Sequence, residues 1–188
     1  VIRELSELTL EELWELFPIF LVDHNDAWAT SYELEKKRVA EIIGAHSGFR
    51  LNHIGSTAIK GIKAKPIIDI FLEVEAERFA RAISAIKASG QWTAMSESQG
   101  RVSFNKGYTR HGFAKRVFHL HVRCRGDCDE LYFRDYLQAH REIALAYEAL
   151  KLSLWKEFEH DRDAYTRAKT DFITRCTALA KSEFPNRY

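Results

Sequence analysis

One aspartate and two histidines stand out in the sequence as residues able to do chemistry. In residues 66–74, Ile68, Ile70, Leu72 and Val74 alternate with Ile67, Asp69, Phe71 and Glu73. In residues 117–124, Phe118, Leu120, Val122 and Cys124 alternate with Val117, His119, His121 and Arg123. In residues 101–106, Val102 and Phe104 alternate with Arg101, Ser103 and Asn105. Side chains alternate across a strand, so each stretch reads as a strand with one oily and one polar face. Such a polar face can simply meet water. If the strands are neighbours, Asp69, His119 and His121 instead converge in a cleft. Three chemistries are then open. The set can hold a divalent metal, with imidazole suiting zinc, manganese, iron or nickel better than magnesium. His121 can act as a general base oriented by Asp69. The histidines can also bind phosphate without a metal.

Between the first two strands runs a loop, residues 53–66, in which Gly55-Ser56-Thr57 is followed by Lys60, Lys63 and Lys65. Glycine lets backbone N–H groups approach an anion, serine adds a hydroxyl, and a helical turn adds partial positive charge. The lysines add full charges. This is the pattern of a phosphate seat, although a plain strand-to-helix turn uses the same residues.

The elements needed to position these groups are legible. Leu10, Leu13, Trp14 and Phe17 follow helical spacing behind a Thr9/Glu12 capping box. A second helix fits residues 26–43, with Trp28, Tyr32, Val39, Ile42 and Ile43 inward and Gly44 just beyond. Strands are predicted at 49–54, 66–74, 92–95, 101–106 and 117–124, with a helix over 76–89 closed by Gly90. From Asp129 the helical period returns. Tyr132, Phe133, Tyr136, Leu137, Ile143, Ala144 and Tyr147 form one stripe; Tyr165, Ala168, Phe172, Ile173, Cys176 and Leu179 form another. Helices, then a mostly antiparallel or mixed sheet, then helices predicts an α+β fold in one domain, with residues 1–20 as a helical extension and 129–181 packing on the sheet.

The run His53-x-Gly55-Ser56-Thr57-Ala58-x-x-Gly61-x-x-Ala64-Lys65-Pro66-Ile67-x-Asp69-Ile70 resembles the signature of the GrpB family, of the nucleotidyltransferase-like superfamily. Phe118-His119-Leu120-His121-Val122, Phe133-Arg134-Asp135-Tyr136-Leu137 with His140, and Tyr165-Thr166-x-Ala168-Lys169-x-x-Phe172 extend the match over roughly residues 20–180. The resemblance implies a nucleotidyltransferase-like fold and a nucleotide or other phosphorylated small molecule as ligand. It implies a phosphate seat at Gly55 and Ser56, and Asp69 as a metal-binding acid with a divalent metal as cofactor; the residues themselves add Thr57, Lys65, Arg134 and Lys169 as phosphate-binding candidates and His119 and His121 as the rest of the catalytic or metal-binding set. Family members also resemble a domain fused to dephospho-coenzyme A kinase; this chain has no Gly-x-x-x-x-Gly-Lys-Ser/Thr loop, so kinase activity is not expected. The superfamily's usual chemistry needs two carboxylates on one strand holding two metal ions. Here Asp69 matches the first, but Phe71 occupies the second position. Glu73 shares the face, yet four residues at about 3.3 Å each put it roughly 13 Å away, whereas paired ions sit about 3.5–4 Å apart. A non-catalytic accessory or sensing domain is therefore the alternative, with phosphoester hydrolysis at an Asp/His site a third reading.

Composition narrows the classes further. Lys plus Arg is 28 against 27 Asp plus Glu, a net charge of +1, so nucleic acid is not an expected partner. Apolar residues reach 46% with only 9 Gly and 3 Pro, which excludes a disordered or linker-like chain. No apolar run approaches the roughly 18 residues of a membrane span, and the N-terminal stretch has no signal-peptide character, so a cytoplasmic protein is expected. Cys124, Cys128 and Cys176 read as reduced thiols. A zinc site on His119, His121, Cys124 and Cys128 is disfavoured because Cys124 lies on the opposite strand face. His140 reads as a core histidine in its stripe. Arg134 either meets a ligand phosphate or braces its helix, and Lys169 either snorkels or reaches over the sheet.

Overall fold

The computed structural model describes residues 3–44 and 48–188; residues 1 and 2 of the N-terminal stretch lie outside them. In chain order the elements are α1 (Leu10–Leu16), α2 (Ala27–Ile43), β1 (Phe49–Ile54), β2 (Ile67–Val74), α3 (Ala76–Ala88), β3 (Thr93–Ser98), β4 (Arg101–Thr109), β5 (Gly112–Cys124), α4 (Asp129–Ala139), α5 (Arg141–Glu157), α6 (Arg162–Ala168) and α7 (Thr170–Glu183). The α1 capping box forms as its sequence predicts: Thr9 Oγ1 accepts from the Glu12 N–H, and the Glu12 carboxylate accepts from the Thr9 N–H.

The strands form one mixed sheet in the order β1-β2-β5-β4-β3. At its centre β2 and β5 run parallel, while the other neighbours are antiparallel. A parallel pair is normally covered on both faces, and this one is. On the predicted oily face, α2 and α3 bury Trp28, Tyr32, Val39, Ile83 and Ile86 against Ile68, Ile70, Leu72, Phe118, Leu120 and Val122. On the other face, α4, α5 and α7 bring Leu131, Tyr136, Leu137, Tyr147 and Cys176 onto Ile54 and Phe71. The polar face is therefore not a solvated surface. Its polar groups sit in a gap beside a second core.

Two predicted helices are broken. The stripe of residues 132–147 is interrupted at His140, whose extended backbone (φ −117°, ψ 91°) separates α4 from α5. His140 is accordingly a half-buried junction residue, with Nε2 2.8 Å from Glu183 Oε2, rather than the core histidine expected. The second stripe breaks at Lys169, between α6 and α7. Neither break carries Gly or Pro, so the local sequence has no stop signal to read. Leu179, predicted inward, is 48% exposed.

Candidate functional site

Register brings the acid and the two imidazoles together. In the parallel β2–β5 ladder Asp69 lies opposite His119, and His121 follows two residues on, on the same face. Asp69 Oδ1 is 3.2 Å from His119 Nδ1 and 3.1 Å from His121 Nε2. All three groups are partly buried and form a cluster whose potential ligand atoms lie within 4.8 Å of one another. Burial pushes the Asp69 carboxyl up, but hydrogen bonds and charge from His119 and His121 outweigh it and hold the group below the usual carboxylate range. Burial also lowers the His119 pKa, against the pull of Asp69.

Each imidazole is also held from behind. His119 Nε2 lies 2.9 Å from the Tyr108 hydroxyl, which accepts from Arg162 Nη2 at 2.8 Å. With the His119 proton on Nδ1, one chain of donors runs from Arg162 to Tyr108, to His119, to Asp69. His121 Nδ1 lies 3.1 Å from Ser103 Oγ. Hydroxyls can donate or accept, so both imidazoles can turn a lone pair toward Asp69 Oδ1 and pass the proton to the back nitrogen. That is the outer arrangement a metal-bound histidine needs.

Tyr108 and Arg162 were not legible in the sequence. Strict alternation would put Tyr108 on the oily face with Phe104. The β4–β5 register shifts between Lys106 and Tyr108, and this bulge returns Tyr108 to the site face. Gly107 at the bulge has φ +94°, and a Cβ there would lie 2.3 Å from the Arg116 carbonyl oxygen. Gly107 was the available signal. Arg162 comes from α6, remote in sequence, and no local pattern marks it.

The phosphate-binding candidates divide. Gly55 lies directly on Asp69: a Cβ at Gly55 would sit 2.3 Å from Asp69 Oδ2. Ser56 faces the Tyr147 hydroxyl. Lys65 and Lys169 both approach the ring of buried Tyr165, at 5.2 and 4.3 Å from its centroid. Burial, then neighbouring cations, lowers the Lys65 pKa to about 7. Burial also lowers Lys169, to about 8, despite the Asp69 charge. Thr57 and Arg134 are turned elsewhere. The Thr57 hydroxyl is buried between His53 Nε2 and the Ile67 carbonyl. Arg134 donates to Asp135, the His53 carbonyl and the Tyr188 hydroxyl, so its nitrogens are committed to bracing α4 on β1 and the C-terminus. Lys63 pairs with Asp23 and Lys60 is exposed, so of the loop lysines Lys65 alone turns into the cluster. Glu73 is engaged by Arg50 and by the Gly126 N–H. A cavity of about 580 Å³ opens over Gly55, Asp69 and His121, walled by Phe133, Tyr147 and Ile173.

The mixed sheet and its helical cover form a nucleotidyltransferase-like α+β fold. The structure of a cytoplasmic RNA terminal U-transferase shares this fold, with a TM-score of 0.50 over 76% of this chain and 43% of that one, at 8% identity. The chain belongs to the GrpB family, whose "GrpB protein" profile matches residues 18–179. The crystal structure of the conserved protein GrpB from Enterococcus faecalis superposes with a TM-score of 0.73 and 26% identity, over 88% of this chain and 99% of that one. Glutamate-rich protein GrpB of Alkalihalophilus pseudofirmus is 32% identical, over 82% of this chain and 91% of its own length. UPF0157 protein YqkA of Bacillus subtilis is 33% identical over 92% of this chain, which spans about half (51%) of that relative. Among the described residues no helix is long and apolar enough to cross a membrane.

Two metal ions do not fit this donor set. Phe71 fills the second carboxylate position and is fully buried in the α4/α5/α7 core. A single ion of the kind imidazole prefers does fit: one carboxylate, two imidazoles and a proton acceptor behind each ring.

Proposed function

We propose that this protein binds a phosphorylated small molecule, a nucleotide in the first instance, beside one divalent metal ion held by Asp69, His119 and His121. The observation that carries the reading is the convergence of both imidazoles on Asp69 Oδ1. Lys65, Lys169 and Arg162 supply positive charge beside the acid, and Gly55 and Ser56 line the approach. The metal, when bound, supplies Lewis-acid polarisation of a phosphoryl oxygen. Metal-assisted nucleotidyl transfer is the reaction class consistent with this placement. A second reading, a sensing or accessory domain that binds without turnover, is favoured by Phe71 standing where the second acid is needed.

Titration calorimetry with Mn²⁺ and Zn²⁺ tests the centre. Asp69→Ala should weaken metal binding by more than about 100-fold, above the roughly 10–100-fold typical of losing an outer-shell partner. His121→Ala should also weaken it strongly. Equal metal affinity in wild type and both variants would remove the centre. With the centre in place, pyrophosphate release from nucleoside triphosphates that stops in Asp69→Ala supports transfer. Nucleotide binding with no release supports the sensor.

The lysines set the pH behaviour. A native lysine pKa depressed to about 7, against 10.5 in the unfolded chain, means the unfolded state holds more protons between those values. Stability of the free protein should therefore rise with pH across that window. Binding of an anion should do the opposite, because it needs the protonated amines. Sulfate, whose charge is constant, should bind about tenfold or more weaker at about pH 9 than at about pH 6, and Lys65→Arg should reduce that dependence to the part that Lys169 carries. A flat sulfate profile in wild type would place the anion away from Lys65 and Lys169.

A further inference from the structure

A second cavity, of about 300 Å³, lies along the same sheet face toward the N-terminal ends of the central strands. Its walls are Phe20, Ile67, Phe113 and Val117, with Lys65 and Arg162 at one side. Ile67 and Val117 are paired in the β2–β5 ladder, two residues before Asp69 and His119 on the same face. The cavity therefore adjoins the cluster, and Lys65 and Arg162 belong to both. Its size is at the small end of ligand pockets, roughly 300–1,000 Å³, enough for a ring-sized group.

Charge and shape select the occupant. Among the described residues lining this cavity, none carries a carboxylate, while Lys65, Lys115 and Arg162 carry positive charge. A purely apolar ligand would leave Lys65 and Arg162 facing hydrocarbon; a bare anion would leave the aromatic walls facing water. A ligand with an anionic head and a flat apolar body satisfies both. Phe113 is held in place by Phe17 and Phe20, at ring separations of 5.1 and 6.1 Å, so the slot is walled by the segment that enters from α1. Arg162 lies over the Tyr108 ring and donates to its hydroxyl, which fixes the cationic side next to His119.

We infer that this slot is the specificity pocket of the site and takes the aromatic body of an organic phosphate whose phosphate group sits at Lys65 and Arg162. The inference rests on the phosphate-binding reading above and adds the chemistry of the group the phosphate carries. The slot and the larger cavity over His121 then flank the acid from two sides, one for each part of a ligand or for two ligands.

Methyl phosphate and phenyl phosphate have the same head and differ in the body, so the pair isolates the slot. With the metal-loaded full chain, phenyl phosphate should bind at least about tenfold tighter than methyl phosphate, the equivalent of about 1.4 kcal/mol. Ala114→Trp, which fills the slot from an exposed strand position, should abolish that advantage and leave methyl phosphate and metal affinities unchanged. Phe20→Ala should reduce it. The phenyl ring should also shift the NMR signals of the Val117 methyl groups. Equal affinity for the two esters, with methyl phosphate binding weakened by Lys65→Ala, would overturn the slot alone. An advantage that survives both Ala114→Trp and Phe20→Ala would do the same. Failure of both esters to bind would overturn the phosphate reading and the slot together.

Discussion

Phe71→Asp should unfold the protein rather than rebuild a two-metal site. The substitution writes the missing second carboxylate into the place where the superfamily chemistry needs it. Yet Phe71 is fully buried and packs with Ile54, Leu131, Tyr136 and Tyr147 beneath the C-terminal helices. Losing a buried phenylalanine costs about 3–5 kcal/mol, and desolvating a carboxylate in its place adds to it. A domain with only about 5–15 kcal/mol of stability loses most of it. Metal cannot restore the balance: at a free concentration 100 times Kd, binding returns about 2.7 kcal/mol. Thermal melts by circular dichroism, with and without Mn²⁺, should show the variant largely unfolded in both conditions. Phe71→Leu should cost about 1.5 kcal/mol or less and keep metal binding. A folded Phe71→Asp variant with tighter metal binding would mean that Phe71 is a replaceable surface of the site, not part of a core.

Gly55→Ala should damage stability and the cluster at once. Gly55 has φ 69° and ψ −176°, a region open essentially to glycine alone. Forcing alanine there costs about 1–3 kcal/mol. The added methyl would also lie 2.3 Å from Asp69 Oδ2, so the carboxylate must move off the two histidines. Metal affinity should fall by more than about tenfold, in line with the sensitivity of metal sites to the groups that aim their ligands. Gly61→Ala is the internal comparison. Gly61 also has positive φ (+71°), but its added methyl would meet the movable guanidinium of Arg141 at 3.1 Å. That variant should lose about 1–2 kcal/mol of stability and keep its metal affinity. Calorimetric metal titration beside denaturant unfolding separates the two effects. Equal metal affinity in both glycine variants would show that Asp69 does not need the close approach of Gly55.

What the amino-acid order determined by itself is what depends on period and local chemistry. Alternation sorted β2 and β5 into faces, and it put Asp69, His119 and His121 on the same one; the ladder then joined them. The Thr9 cap, the presence of five strands and the family signature were equally local, whereas β5 begins at Gly112, not at Val117, and β4 runs on to Thr109. Tertiary structure decided which polar groups serve the cluster, because hydrogen-bond partners are chosen across the chain. A register shift in the β4–β5 ladder at Gly107 turned Tyr108 onto the site face, and a remote helix supplied Arg162. Thr57 and Arg134, phosphate candidates by motif, had their donors taken by His53, Ile67, Asp135 and Tyr188. Whether the polar face met water or a cleft was likewise set only when α4, α5 and α7 closed over Phe71, since burial belongs to a packed surface and not to any one segment.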